Sequence, residues 1–145
     1  DQVKSHAKLG FAMKDIIDNL PGAFIVYRAD KENDEILLAN SELLRLTGCK
    51  NMDELLAYTG KSFCNLIRPD EQERCQKSIW SQINGGHSND YIFFHMRKAD
   101  GKYISVLDHG RIVDSVRNGR VFYVMIMDLN SLQRHYGDHL ELEEK

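Results

Sequence analysis

An α+β fold, an antiparallel sheet with helices packed on one face, is predicted by three features of the sequence. Helical segments, with apolar residues three and four apart, occupy the middle of the chain. An Asp100-Gly101 pair between two late apolar runs marks a tight antiparallel turn. The short apolar runs that read as strands bracket the helices, an order typical of an α+β layer fold. These runs are 23–27, 36–39, 91–96, 103–113 and 121–127.

The N-terminal segment, residues 1–20, is predicted to be an amphipathic helix from about Lys4 to Leu20. Its apolar residues share one helical face at spacings of three and four. They are Leu9, Met13, Ile16, Ile17 and Leu20. Pro21-Gly22 ends the helix, because proline disfavours helix in the residue before it. Two strands joined by a charged turn, residues 28–35, form the next hairpin.

Three helices are expected between the strand groups. Asn40 is a good N-cap for the first, and Gly48 ends it. The second runs from Met52 to Tyr58 before Gly60. The third begins at Pro69, whose fixed φ suits a first helical turn, and ends at Gly85-Gly86. Its apolar side carries Ile79, Trp80 and Ile83.

Three strands in a meander follow the helices, and a polar, helix-compatible segment follows Asp128. The predicted organisation is therefore an N-terminal helix at 1–20, a domain at 21–130 and an exit linker at 131–145. Because the chain begins at Asp1, without an initiator Met, we expect it to be an excised piece of a longer protein.

Composition narrows the function classes. The chain has 145 residues, a net charge of −3 and three cysteines, Cys49, Cys64 and Cys75. The sparse cysteines favour free thiols in a reducing, cytoplasmic compartment. The acidic balance argues against nucleic acid as a partner. No apolar run approaches the ~20 residues that cross a bilayer, so direct membrane insertion is not expected. Phosphate-loop and metal-site motifs are missing, so we expect no enzyme and no metal site in this fragment.

Several motifs in order resemble those of the PAS domain family. The residues 40–48 are similar to that family's Asn-led helix ending in Thr-Gly, and 53–55 to its short acidic helix. The stretch 60–71 resembles Gly-Lys-Ser-Phe followed by Ile-His-Pro-Asp-Asp, with Arg68 in place of the His. The residues 97–102 are similar to an Arg-x-x-Asp-Gly hairpin, and 128–130 to an Asp-Ile-Thr motif.

This resemblance implies a five-stranded antiparallel sheet that cups a small cavity walled by short helices. It also implies a sensory or dimerisation module of a bacterial-type signalling protein, followed by a histidine kinase or diguanylate cyclase. In that reading Asp128 and Asn130 relay the signal from the last strand to the exit segment. The alternative is a purely structural dimerisation module with no ligand.

A small organic molecule is the main candidate ligand for the implied cavity, which would be apolar with a few polar anchors. The candidate polar anchors are Tyr91, His95, Asp108, Arg111 and Tyr123. The candidate cavity walls, which could also be plain core, are Phe63, Trp80, Phe24, Val26, Ile92, Phe94, Leu107 and Met125. A surface or cross-strand ion pair is the other reading of the charged anchors.

Cofactors are less expected. Light-sensing relatives bind flavin through a Cys in an Asn-Cys-Arg-Phe-Leu-Gln motif, whereas here Cys64 precedes Asn65 and the Arg and Gln are missing. Haem requires an imidazole in the cavity. Haem-binding relatives place it on or near the long helix before the strand meander, whereas here the helix from Pro69 to Ile83 contains no His.

A homodimer is the expected assembly, since the N-terminal helix and the exit segment both carry apolar residues that need cover. The N-terminal helix folding back on its own sheet is the alternative.

Overall fold

The structure is a computed structural model that describes residues 10–135. Its elements follow one another in the predicted order, with 3-10 turns at Phe63–Leu66 and Pro69–Glu71 and a helical segment over 129–135. The helices are α1 (Met13–Asp18), α2 (Ser41–Thr47), α3 (Met52–Thr59) and α4 (Gln72–Asn84). The strands are β1 (Ala23–Arg28), β2 (Ile36–Ala39), β3 (Asn89–Arg97), β4 (Tyr103–Ser115) and β5 (Gly119–Asp128).

The five strands form one sheet in the order β2-β1-β5-β4-β3. Every neighbouring pair is antiparallel, which confirms the predicted α+β fold class. Strand β5 lies at the centre and is paired on both sides, while β3 and β2 are the edge strands. The centre of the sheet is therefore also the strand that leads into residues 129–135.

The predicted helix ends are confirmed at α2 and α3. Asn40 and Asn51 accept hydrogen bonds from Leu43 N and Glu54 N, so each caps the helix that follows it. Gly48 ends α2 with a φ of 79°, a left-handed conformation that glycine adopts without a steric cost.

The N-terminal helix is shorter than the sequence predicts within the described residues. Helix α1 covers Met13–Asp18, and Gly10 before it has a φ of 80°, which is incompatible with a continuous right-handed helix. The rest of the predicted helix, residues 1–9, lies outside the described residues, as do residues 136–145 of the exit linker. Met13 and Ile17 of α1 border a cleft shared with Phe24 and Val26 of β1.

The two faces of the sheet have different environments. The inner face packs with α2, α3 and α4 and provides much of the core. Its buried residues include Ile25, Tyr27, Ile92, Phe94, Met96, Val106, Phe122, Val124 and Ile126. The outer face carries large side chains that remain exposed: Tyr91, Phe93, Tyr123 and Met127. None of the helices in the described part of the chain is long and apolar enough to span a bilayer.

Candidate functional site

The space between the inner face and the helices is filled by a group of aromatic side chains. Tyr27 stacks on Phe63 with ring centroids 3.9 Å apart, and Phe94 meets Phe63 edge-on at 6.4 Å. Phe122 contacts Tyr27 at 5.2 Å and Trp80 at 5.7 Å between centroids. Phe63 is fully buried, because it enters from the 3-10 turn directly above the strands. The interior is therefore a packed aromatic core.

Two carboxyl groups are buried on the same inner face. Asp90 of β3 is 2% exposed and Asp108 of β4 is 1% exposed. In the register of these strands Asp90 faces Gly110 and Asp108 faces Ile92, so the two acids are diagonal neighbours on one face. Asp90 Oδ1 and Asp108 Oδ2 accept no hydrogen bond from any described residue. Buried polar atoms normally have a partner, so this pair is unusual.

Burial shifts the titration of both acids in the same direction. Desolvation raises the pKa of Asp90 to about 6. Desolvation also raises the pKa of Asp108 well above its ordinary value, and the charge of Asp90 raises it further. Both carboxyls are therefore held toward their neutral form.

Gly110 creates the space that the Asp90 carboxyl occupies. A Cβ atom placed on Gly110 would lie 2.6 Å from Asp90 Oδ1, closer than such atoms approach in proteins. Any other residue at this position would displace the carboxyl. The position of Asp90 inside the fold thus depends on a glycine in the neighbouring strand.

Three side chains from both ends of α4 form hydrogen bonds with the backbone at the free edge of β3. Gln82 donates from Nε2 to Tyr91 O at 3.1 Å, and its Oε1 accepts from Tyr91 N at 2.9 Å. Arg74 donates to Phe93 O at 3.1 Å. Glu71, which directly precedes α4, accepts from His95 N at 2.8 Å. We call Glu71, Arg74 and Gln82 the α4 clamp, because they pair the backbone groups that an edge strand would otherwise leave open.

His95 also faces the clamp with its ring. Its Nδ1 lies 3.0 Å from Glu71 Oε2. Burial by itself would raise the pKa of Glu71, but hydrogen bonds from the His95 backbone and ring outweigh it, so that pKa is lower than usual. Glu71 is therefore ionised at neutral pH and holds the N-terminal end of α4 against β3.

The other end of the sheet leads out of the domain. Asp128, the last residue of β5, accepts a hydrogen bond on Oδ1 from Asn130 N at 2.9 Å. Ser131 N lies 3.4 Å from the same oxygen. Asp128 therefore caps the helical segment that begins at residue 129, and it joins the central strand to that segment.

The structure brings together only some of the residues predicted to line a cavity. Phe63 and Asp108 lie in the interior, and Trp80 lies half-buried at its rim. Trp80 borders a surface cleft of about 880 Å³ that also includes Arg28 and Arg120. Lys31 Nζ lies 5.5 Å from the centre of its indole ring, within cation–π range.

The other predicted anchors lie on the outer face. Tyr91 stacks on His109 with centroids 4.2 Å apart. Arg111 is cross-strand to Tyr123, and both are exposed. His95 belongs to the same face and contacts Glu71 instead of the interior. Their role in ligand binding stays a prediction, but they do not share one site with Phe63 and Asp108.

Sequence reasoning missed Asp90. The strand alternates, and Asp90 has the same parity as Ile92, Phe94 and Met96, which are all buried. That parity was a usable signal, since it places an acid on an apolar face. Within residues 10–135 no group of three or more His, Cys, Asp or Glu side chains is arranged to hold a metal ion.

Comparison with known proteins gives one family and a set of similar folds. A family model described as PAS fold matches residues 36–127. No curated protein matches the chain. A PAS domain from a two-component sensor histidine kinase has a TM-score of 0.62 at 16% identity, covering 88% of this chain and 99% of that one.

Two further solved structures are similar. A Rhodobacter sphaeroides LOV protein has a TM-score of 0.65 at 19% identity, covering 96% of this chain and 76% of that one. A PAS domain of a Desulfitobacterium hafniense protein has a TM-score of 0.61 at 12% identity, covering 79% of this chain and 98% of that one. At these identities the likeness shows the fold alone.

Proposed function

The chain belongs to the PAS-fold family, and on that premise we propose that it is a sensory and regulatory module of a cytoplasmic signalling protein. It would sense a small ligand or a partner and relay the signal to a C-terminal output domain, a histidine kinase or a diguanylate cyclase. The fragment itself would not be an enzyme. Three free thiols, Cys49, Cys64 and Cys75, support a reducing compartment.

The observation that carries this proposal is the path of β5. Its inner-face residues Phe122, Val124 and Ile126 belong to the core, and two residues later Asp128 caps the helical segment at 129. A change in the interior that favours one sheet arrangement would reach the exit through one continuous strand. Asp128 and Asn130 are the proposed relay residues.

The predicted site residues divide between two roles in this proposal. Phe63, Trp80 and Asp108 would respond to a ligand that enters the interior. Tyr91, His95, Arg111 and Tyr123 lie on the outer face and would meet a partner. Haem and flavin remain unexpected as cofactors.

The relay is tested in the parent protein by Asp128→Ala. Loss of the cap uncouples β5 from the exit segment. The change in output activity that the signal causes is therefore expected to fall at least tenfold. Asp114→Ala, an exposed acid on β4, is the control and should behave as wild type. An Asp128→Ala protein whose output still follows the signal would contradict the relay.

Assembly without a ligand is the second candidate, and the outer face favours it. Exposed and half-buried apolar and aromatic side chains form two cross-strand rows there, one of Tyr91, His109 and Met125 and the other of Phe93, Leu107 and Met127. Contiguous exposed apolar surface of this kind is typical of an interaction site. Native mass spectrometry of the purified chain separates the candidates: a reproducible added mass supports a ligand sensor, and a bare dimer supports an assembly module.

A further inference from the structure

Among residues 10–135, the buried acids on the inner face have no positively charged partner. Of the cations nearby, Arg74 on α4 is engaged with Phe93 O and Glu71, and its side chain is 55% exposed. On β5 the residues opposite Asp108 and Gly110 are Ile126 and Val124, which are apolar.

The other titratable groups that act on this region are themselves acids. Tyr27 on β1 feels the charges of Asp108 and Asp90, and also those of Asp34 and Cys64. Cys75 on α4 feels the charge of Asp108 as well. A negative charge on either aspartate is therefore stabilised by none of these groups.

Four clefts formed by described residues lie away from the two carboxyls. They open at Trp80, at Cys64 and Gln76, at Phe24 beside α1, and at the β1–β2 turn. Neither Asp90 nor Asp108 lines any of them. A proton is the ligand that needs no cavity.

We propose that Asp90 and Asp108 form a proton-binding site inside the fold, and that loss of the proton releases the α4 clamp from the edge of β3. This inference rests on the proposed sensory function and names the signal for it. In the protonated state both acids are neutral and the inner face stays packed against α4. In the deprotonated state like charges lie side by side in an apolar interior, which disfavours the closed arrangement.

The clamp is the element that can respond. Asp90 directly precedes Tyr91, whose backbone N–H and C=O are held by Gln82. Helix α4 packs against β3, and its Cys75 lies close enough to Asp108 to feel that charge. Hydration of the buried carboxylates therefore requires β3 to move relative to α4. The first backbone bonds affected are then those between Tyr91 and Gln82.

The sign of the pH effect follows from linkage. Above about pH 4 the unfolded chain loses protons that the folded chain retains on these acids, so stability falls as pH rises. For Asp90 the fall runs from about pH 4 through its folded pKa of about 6. Asp108 extends it upward, because its pKa is raised further by burial.

The direct test is a titration of the full chain by carboxyl ¹³C NMR with labelled aspartate. Two Asp resonances are expected to titrate above pH 5, and Asp90→Asn and Asp108→Asn should each remove one. Asn keeps the size of the side chain and cannot ionise. Ordinary titration of every Asp resonance, below pH 5, would overturn the proposal.

The functional consequence is tested by melting temperature and by amide hydrogen exchange from pH 5 to pH 8. For wild type we expect the melting temperature to fall by about 5 °C or more, with a loss of exchange protection at Tyr91 and His95. The double variant Asp90→Asn/Asp108→Asn should lose this pH dependence, and the exposed Asp114→Asn control should keep it. A double variant with the wild-type pH dependence would overturn the proposal.

The proton site and the sensory relay can be overturned independently of each other. Ordinary carboxyl titration together with an output that depends on Asp128 would overturn the proton site and leave the sensory relay standing. Titration above pH 5 together with an output indifferent to Asp128 would overturn the relay.

Discussion

At the scale of single residues, the Asn40 side chain makes four hydrogen bonds that connect three elements. Its Oδ1 accepts from Phe24 N at 2.9 Å and from Leu43 N at 3.0 Å. Its Nδ2 donates to Ile17 O at 2.7 Å and to Gly22 O at 3.0 Å. The residue is fully buried, so these four bonds join α1, β1 and α2 where water has no access.

Asn40→Ala is therefore expected to lower the free energy of unfolding by about 3 kcal/mol, since it leaves buried backbone groups unpaired. Asn51→Ala is the matched control: it removes an exposed cap with one bond, to Glu54 N. That change should cost about 1 kcal/mol. Urea denaturation of both variants measures the difference, and equal losses would contradict the junction role.

The sequence identified Asn40 as a cap but not as a junction. The capping role is local, because the bonded amide lies three residues along the chain. The bonds to Ile17 and Gly22 join residues 23 and 18 positions away. Such partners depend on how α1 and β1 pack, and a local pattern does not contain that information.

At the scale of elements, the α4 clamp protects the edge of the sheet. Antiparallel edge strands expose backbone groups that can pair with other chains. Here Gln82, Arg74 and Glu71 occupy such groups on alternate residues of β3. The helix thus holds its strand by side-chain bonds as well as by apolar packing through Cys75 and Ile79.

Gln82→Ala is expected to reduce the exchange protection of the Tyr91 amide about tenfold, which corresponds to a loss of about 1.4 kcal/mol. Both bonds to the Tyr91 backbone disappear while the apolar side of α4 stays intact. Lys77→Ala on the same helix is the control, because its side chain is 78% exposed. Hydrogen exchange read by NMR decides, and unchanged protection at Tyr91 would show that packing alone holds β3.

At the scale of the whole molecule, the outer face of the sheet is available for association. Phe93 is 60% exposed on the edge strand β3, between Tyr91 and His95. Two copies of the chain meeting through this face would bury the two apolar rows symmetrically. Helix α1 borders Phe24 and Val26 on the same face, so it provides partial cover for β1.

Phe93→Glu is expected to convert a wild-type dimer to a monomer, because a charge would be buried in the contact. Val116→Glu is the control, since Val116 is a fully exposed apolar residue in the β4–β5 turn, away from the two rows. Sedimentation velocity at about 100 μM measures the masses. A monomeric wild type, or a Phe93→Glu dimer, would exclude this face as the interface.

The sequence by itself determined the elements, their order and the family. The Asn40 cap, the Gly48 terminus and the Asp100-Gly101 turn are local signals, since each depends on backbone geometry within a few residues. Only the tertiary structure decided which strand face is inside. Because side chains alternate along β3, Tyr91 and His95 share one face of the sheet and Asp90 and Ile92 share the other. The packing of α4 determines which of these faces is buried. The outward position of the predicted anchors and the burial of the two acids both follow from that packing.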